Sequence, residues 1–257
     1  MKQEILIEMQ NLAKKYYKIQ TMNWIQSKGG GFGGAGITLE YLLGKLTDND
    51  ILPDYHGIEL KTTQINSKYI CPIGLFSMAL DNQPLQMKYL YENFGWPSKK
   101  DSTKNVFYAK INAQYSRCTR RYSFKLHVNY EKKCVELQIY DHYNHEKLKK
   151  ELSWSFYHLK LRLETKLNYL CIVEVLKYYE MHNKSYYYNF QEISFYELKS
   201  FSKFLELIEN GDIRVHIKIS YRQKGDKWEM YDKGTTFEIY KEDIEKLFTK
   251  LSIQIKK

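Results

Sequence analysis

Residues 54, 59 and 61 of this chain are Asp, Glu and Lys, set in LPDYHGIELKTTQ (52–64) directly after Pro53. Two carboxylates on one face can hold a hard cation such as Mg²⁺, which takes oxygen ligands. A cation held in this way activates water and neutralises charge on a transferring phosphoryl group. A nearby ammonium can orient or help deprotonate that water and stabilise the growing negative charge. The spacing suits a strand, because residues i and i+2 share a face. Glu59 and Lys61 then point one way, and Ile58 and Leu60 point into a core. Asp54 precedes the strand, and a turn at His56-Gly57 would fold it back towards Glu59. His56 is read as part of that turn. Spacing alone leaves a blander reading open. E-x-K on a strand is commonly a cross-strand ion pair on a solvated face, and D-x4-E-x-K is a weak pattern.

The elements around this segment follow from periodicity. Ile5, Met9, Leu12, Ala13, Tyr16 and Tyr17 recur at helical spacing over 3–20. KGGGFGGAG (28–36) holds six of the 13 glycines and reads as a flexible loop. It is no phosphate-binding P-loop, since no Gly-Lys-Ser/Thr follows. A helix ITLEYLLGKL (37–46), capped by Thr38, and a polar connector TDNDILPD (47–54) lead into the strand. A second strand is expected over Tyr69–Met78 and a short helix over 84–96. Several strands are expected over 105–141, with YSFKLHVNY and CVELQIYD paired across EKK. SFYHLKLRLETKL (155–167) is helical, and NYLCIVEVLKYY (168–179) is a strand returning through SYYYNFQEI (185–193). YELKSFSKFLELIEN (196–210) reads as a helix. RVHIKISY (214–221) and TTFEIY (235–240) are strands, and KEDIEKLFTKL (241–251) reads as a closing helix. No repeat and no clear boundary divides the chain. The pattern predicts one α/β or α+β domain with a mixed sheet.

Composition narrows the function classes. A chain of 257 residues can bury a substantial core, and 43% apolar with 27% charged residues argues against global disorder. The net charge of +10 favours a polyanion partner, nucleic acid first. The 24 tyrosines suit cores and wet interfaces alike. Cys71, Cys118, Cys134 and Cys171 form no C-x-x-C, so neither a zinc site nor a redox motif is indicated. With no secretory signal and no run of about 20 apolar residues, reduced thiols and a cytoplasmic location are expected.

ITLEYLL followed by LPDYHGIELKT resembles the MutH and MvaI/BcnI branch of the PD-(D/E)XK nucleases, where a helix glutamate precedes a D-(x)n-E-x-K signature. SWSF (153–156), IENGDIRVHIKI (208–219) and DKGTTFEI (232–239) also look like MvaI-type enzymes. The blocks keep their order from about residue 28 to about residue 240. The resemblance implies a restriction-endonuclease-like mixed sheet flanked by helices, with a DNA-binding cleft. It implies one nuclease domain over 1–257, with a catalytic lobe near 1–150 and a DNA-recognition lobe near 151–257. It implies that Asp54 and Glu59 bind Mg²⁺, that Lys61 is the catalytic lysine and that Glu40 supports the metal or the water. The activity implied is a type II, double-strand cut at a short, near-palindromic site. The enzyme would be a monomer on double-stranded DNA, with a cognate DNA methyltransferase in the same system but not stably bound and no membrane partner. The Asp–Glu spacing fits the MvaI type better than the longer MutH spacing.

Along RVHIKISYR, Val215, Ile217 and Ile219 alternate with Arg214, His216, Lys218 and Ser220. Such a strand packs on a core with one face and offers donors to a DNA groove with the other. Arg222, Lys224, Lys227, Asp232 and Lys233 continue the candidate DNA-binding set, with the lysines suited to phosphate. A solvated edge strand has the same pattern. RCTRR (117–121) is either a phosphate-contact cluster or a solvated loop. The rival functions are a MutH-like nickase and a non-catalytic DNA-binding protein of the same fold.

Overall fold

The computed structural model describes residues 3–30, 33–45, 52–82 and 84–253. The chain forms two compact units. The first gathers Met1–Ile73, Arg162–Lys199 and Tyr240–Lys257, and the second gathers Gly74–Leu161 and Ser200–Ile239. Each unit is discontinuous in sequence, and the chain passes between them after Ile73, Leu161, Lys199 and Ile239.

The first unit is built on a mixed sheet. Its order is β1 (Trp24–Gln26), β11 (Ser185–Leu198), β10 (Tyr169–Glu180), β2 (Glu59–Gln64), with β15 (Phe248–Leu251) also on β11. β2 runs parallel to β10, with Leu170 opposite Glu59 and Ile172 opposite Lys61. The other pairs are antiparallel. Helix α1 (Gln3–Gln20) buries Met9, Leu12, Ala13, Tyr16 and Ile19, the stripe its 3.6-residue period dictates. That stripe shares a core with Ile58 and Leu60 of the candidate segment and with Cys171, Val173 and Phe190. Tyr16 keeps its hydroxyl satisfied by donating to the Gln191 carbonyl at 2.8 Å.

Helix α2 (Gly34–Leu42) starts inside the glycine segment, earlier than the sequence suggested. Thr38 is an interior residue of this helix and not its cap. Its hydroxyl donates to the Gly34 carbonyl at 2.6 Å and accepts the Lys28 N–H at 2.9 Å, which fastens the incoming segment to the helix. Gly34 is required by space, because a Cβ there would lie 2.5 Å from the Tyr188 hydroxyl. Gly31, Phe32 and most of the 47–54 connector lie outside the described residues.

The second unit holds two sheets. One has the order β3 (Ile73–Ser77), β14 (Thr236–Ile239), β12 (Ile213–Lys224), β5 (Asn105–Ile111), β4 (Trp96–Pro97), with β13 (Lys227–Asp232) also on β12. The other runs β6 (Ser116–Arg117), β7 (Tyr122–Asn129), β8 (Cys134–Asp141), β9 (Ser153–Ser155). Helices α3 (Leu85–Phe94), α5 (Phe201–Glu209) and the start of α4 (Phe156–Leu167) accompany them. The core is aromatic: Phe107, Phe124, Trp154, Phe204 and Phe237 are fully buried. Trp154 sets its ring 5.4 Å from Phe237 and donates its indole N–H to the Met78 carbonyl at 3.1 Å.

Two expected helices are shorter or different. β11 continues to Leu198, so α5 begins only at Phe201, where the Ser200 hydroxyl accepts the Lys203 N–H at 3.1 Å as an N-cap. The closing segment is a 3₁₀ turn Lys241–Asp243 and a short α6 (Ile244–Leu247), and it then becomes β15 on β11. β3 is confined to 73–77. No helix among the described residues is long and apolar enough to cross a membrane, and the four cysteines are unpaired.

One carboxylate couples the second unit to pH. Burial opposes ionisation of Glu136, but hydrogen bonds from Gln138, Lys147 and Asn129 outweigh it and hold its pKa at about 2. A depressed folded pKa stabilises above the unfolded value and loses that contribution as pH falls. The window runs from the ordinary 4.5 down to about 2. Glu136→Gln is expected to flatten the melting-temperature profile in that interval, as followed by circular dichroism.

Candidate active site

The candidate segment begins with a tight turn. Tyr55 and Ile58 exchange both backbone hydrogen bonds, at 2.9 and 2.7 Å. His56 and Gly57 between them have φ of +40° and +86°. Positive φ at both central positions is what a type I′ hairpin turn demands, and Gly is its usual second residue. The turn brings Asp54 back beside the strand, where its Oδ2 accepts the Leu60 N–H at 3.1 Å. Its Oδ1 accepts from Lys45 Nζ at 2.9 Å.

β2 then places Glu59 and Lys61 on one face, and Leu60 turns into the core. Lys61 Nζ donates to Glu59 Oε1 at 2.5 Å. Glu59 is 1% exposed, while the Asp54 side chain is 14% and that of Lys61 25% exposed. The acid pair is therefore recessed, with Lys61 the most exposed of the three. Lys166, in the last turn of α4, brings a further ammonium to 3.3 Å from Glu59 Oε2. That approach lacks hydrogen-bond geometry, and Oε2 is the buried side-chain oxygen left without a hydrogen bond among the described residues.

The electrostatics separate the two acids. Burial disfavours the charge on Asp54, yet the Lys45 and Leu60 hydrogen bonds and the Lys61 charge outweigh it and hold its pKa below the ordinary carboxylate value. Burial pushes the Glu59 carboxyl up; Lys61 pulls it down and the Asp54 charge raises it further. Two acids that repel each other in a recessed site, one with an unsatisfied oxygen, form a donor set that a divalent cation completes. No three His, Cys, Asp or Glu side chains gather as a metal site among the described residues. A cation here would rest on two carboxylates and take its remaining oxygens from water or substrate, the usual manner of Mg²⁺ at phosphate chemistry.

The structure thus brings Asp54, Glu59 and Lys61 together. Glu40 stands half-buried on α2, which packs against β2, but it does not make a three-acid cluster with them. Lys45 and Lys166 were not found by sequence reasoning. Lys45 follows a helix by a few residues, and Lys166 meets the site only through the tertiary fold.

The expected DNA-reading residues lie on the second unit. Ile213, Val215, Ile217 and Ile219 of β12 are fully buried, and Arg214, His216 and Lys218 alternate on the other face. Glu238 of β14 lies 3.3 Å from both Arg214 Nε and His216 Nδ1. Burial opposes its charge, but His216, Arg214 and Lys218 hold its pKa below the ordinary value. Lys218 donates to the Thr236 hydroxyl at 3.1 Å. Arg222 pairs with Glu229 at 2.8 Å. Lys224 and Lys227 face each other at the exposed tip of the β12–β13 hairpin. Lys233 reaches the Tyr108 hydroxyl at 3.3 Å. Asp232 Oδ1 accepts the Gly234 N–H and the Thr235 hydroxyl, which ties its own loop. In RCTRR, Arg121 pairs with Asp141 at 2.7 Å, and the Arg117 side chain lies outside the described residues.

This fold and site have solved counterparts. The fold matches restriction endonuclease MvaI in complex with its cognate DNA substrate, with a TM-score of 0.85 at 25% identity over 99% of this chain and 100% of that one. It matches MvaI in the absence of DNA with a TM-score of 0.61 at 25% identity over 99% of each chain. No curated protein matches the sequence. The class is accordingly a mixed α+β restriction-endonuclease fold. The family model of the MvaI/BcnI restriction endonuclease family matches residues 13–248, and the chain belongs to that family. Its activity is that of a type II site-specific deoxyribonuclease.

Proposed function

We propose that this endonuclease cuts both strands of double-stranded DNA in a Mg²⁺-dependent reaction, as a monomer at a short, near-palindromic site. The observation that carries this reading is the recessed Asp54–Glu59 pair, with Glu59 Oε2 lacking a hydrogen bond among the described residues and Lys61 on Glu59 Oε1. Asp54 and Glu59 would hold Mg²⁺, which supplies activation of water and neutralisation of phosphate charge. Lys45 and the Leu60 N–H aim Asp54. Lys61 orients the attacking water and steadies charge on the phosphate, and Glu40 supports the site from α2. In-line attack then leaves 5′-phosphate and 3′-hydroxyl ends.

Arg214, His216 and Lys218 read base edges, and Glu238 fixes the first two. Arg222 and Lys233 extend that surface, with Asp232 shaping its loop. Lys224 and Lys227 contact phosphates. Arg214→Ala is then expected to lose about 1–3 kcal/mol of discrimination at one base pair. Lys227→Ala should weaken binding to all sequences alike and reduce the salt slope by about one. Both are measured by titrating fluorescent duplexes at several salt concentrations.

The deciding experiment incubates the purified protein with unmethylated plasmid and phage DNA, with Mg²⁺ or EDTA, and sequences the ends. Discrete Mg²⁺-dependent fragments support the proposal. Open circles alone would replace it with strand-specific nicking. Binding without cleavage on DNAs of varied sequence would replace it with a non-catalytic binding protein. A cytoplasmic location and a separate cognate methyltransferase accompany the same reading.

A further inference from the structure

Glu59 is gripped from two sides. Lys61 holds Oε1 through a hydrogen bond. Lys166 stands 3.3 Å from Oε2 without one, and its Nζ also lies 3.5 Å from the Leu52 carbonyl oxygen. The Lys166 side chain is 16% exposed, against 1% for Glu59. Oε2 is the Glu59 oxygen without a hydrogen bond among the described residues, and it is the one assigned here to a metal ion. A carboxylate as buried as Glu59 needs a counter-charge at all times, and Asp54 beside it adds repulsion.

We propose that Lys166 is a resident counter-cation. It neutralises the metal-facing oxygen of Glu59 when no divalent cation is present and yields that oxygen when one arrives. The inference rests on the reading of Asp54 and Glu59 as the metal-binding pair. Three features suit Lys166 to the exchange. Its contact with Oε2 is Coulombic and lacks the directionality of a hydrogen bond. A lysine head group on a four-carbon stem is mobile and readily rehydrated. The Leu52 carbonyl is a second acceptor within reach. Lys61 differs in donating a hydrogen bond to Oε1.

The test uses the full chain without DNA and Mn²⁺ as the probe, with bound metal counted by electron paramagnetic resonance. Removing the competing charge in Lys166→Met should tighten Mn²⁺ binding about tenfold, the size expected for one partly screened unit charge. The same variant should melt below the wild type in EDTA, and saturating Mn²⁺ should close that gap. Lys166→Arg keeps the charge and should behave as wild type. Lys166→Gln replaces the Met variant if that one does not fold. Asp54→Ala is the control that identifies the bound metal with this site. Unchanged or weaker Mn²⁺ binding in Lys166→Met, or in Lys166→Gln where it replaces it, with the wild type binding normally, would overturn the inference and reduce Lys166 to a structural brace. Absence of binding in folded wild type would instead remove the metal reading itself, and the inference with it.

Discussion

Lys61→Ala is expected to lower the cleavage rate by about 10³-fold while DNA affinity stays within about twofold of wild type. Removing one preorganised cationic or hydrogen-bonding group from a reaction centre commonly costs about 10²–10³ in rate. The upper end applies here, because Lys61 is the ammonium hydrogen-bonded to the buried acid and is itself partly exposed. On the proposed function, binding energy comes instead from phosphate and groove contacts of the wider surface. Single-turnover cleavage and equilibrium binding, the latter with Ca²⁺ in place of Mg²⁺, separate the two quantities. Normal cutting by the variant would show that the reaction is run elsewhere.

Asp54→Ala should affect both chemistry and stability. Cleavage should fall by at least about 10²-fold, since a carboxylate of the proposed metal pair is gone. Stability should fall by about 1–3 kcal/mol, because the Leu60 N–H and the Lys45 ammonium lose their acceptor. The pH dependence identifies the cause. The folded pKa of Asp54 is depressed, so its contribution is fully present above the unfolded value of about 4 and is lost as pH falls through the lower folded value. The stability gap between wild type and Asp54→Ala should therefore narrow in acid. Urea titrations at pH 7 and at progressively lower pH measure it, and a gap that is constant with pH would exclude the Lys45–Asp54–Leu60 arrangement as its source.

What sequence reasoning reached follows from how local each interaction is. Asp54, Glu59 and Lys61 sit on one turn and one strand, so two-residue alternation and the His56-Gly57 pair were enough to align them. The alternation along β12 was legible for the same reason. Lys166 and Glu238 were not, because each meets its partners only through packing or strand pairing that no local period reveals. The closing segment shows the opposite failure. Ile244, Leu247, Phe248 and Leu251 have true helical spacing, yet Phe248–Leu251 pairs with the free edge of β11. An available strand edge overrode the local preference, as tertiary context commonly does. Ser200 likewise marked the true start of α5, but Tyr196–Leu198 ahead of it were already committed to β11.

The pairing of β2 has a consequence for how the enzyme is made. β2 carries the candidate chemistry near residue 60, but its sheet neighbour is β10, and β10 is held by β11, which β15 completes at residues 248–251. Strands paired over such separations form late, since the intervening chain must first be ordered. During translation the Asp54–Glu59 segment therefore emerges from the ribosome long before the strand that supports it. The segment that carries the candidate chemistry is thus completed as a strand only once residues nearly 200 positions later have been synthesised.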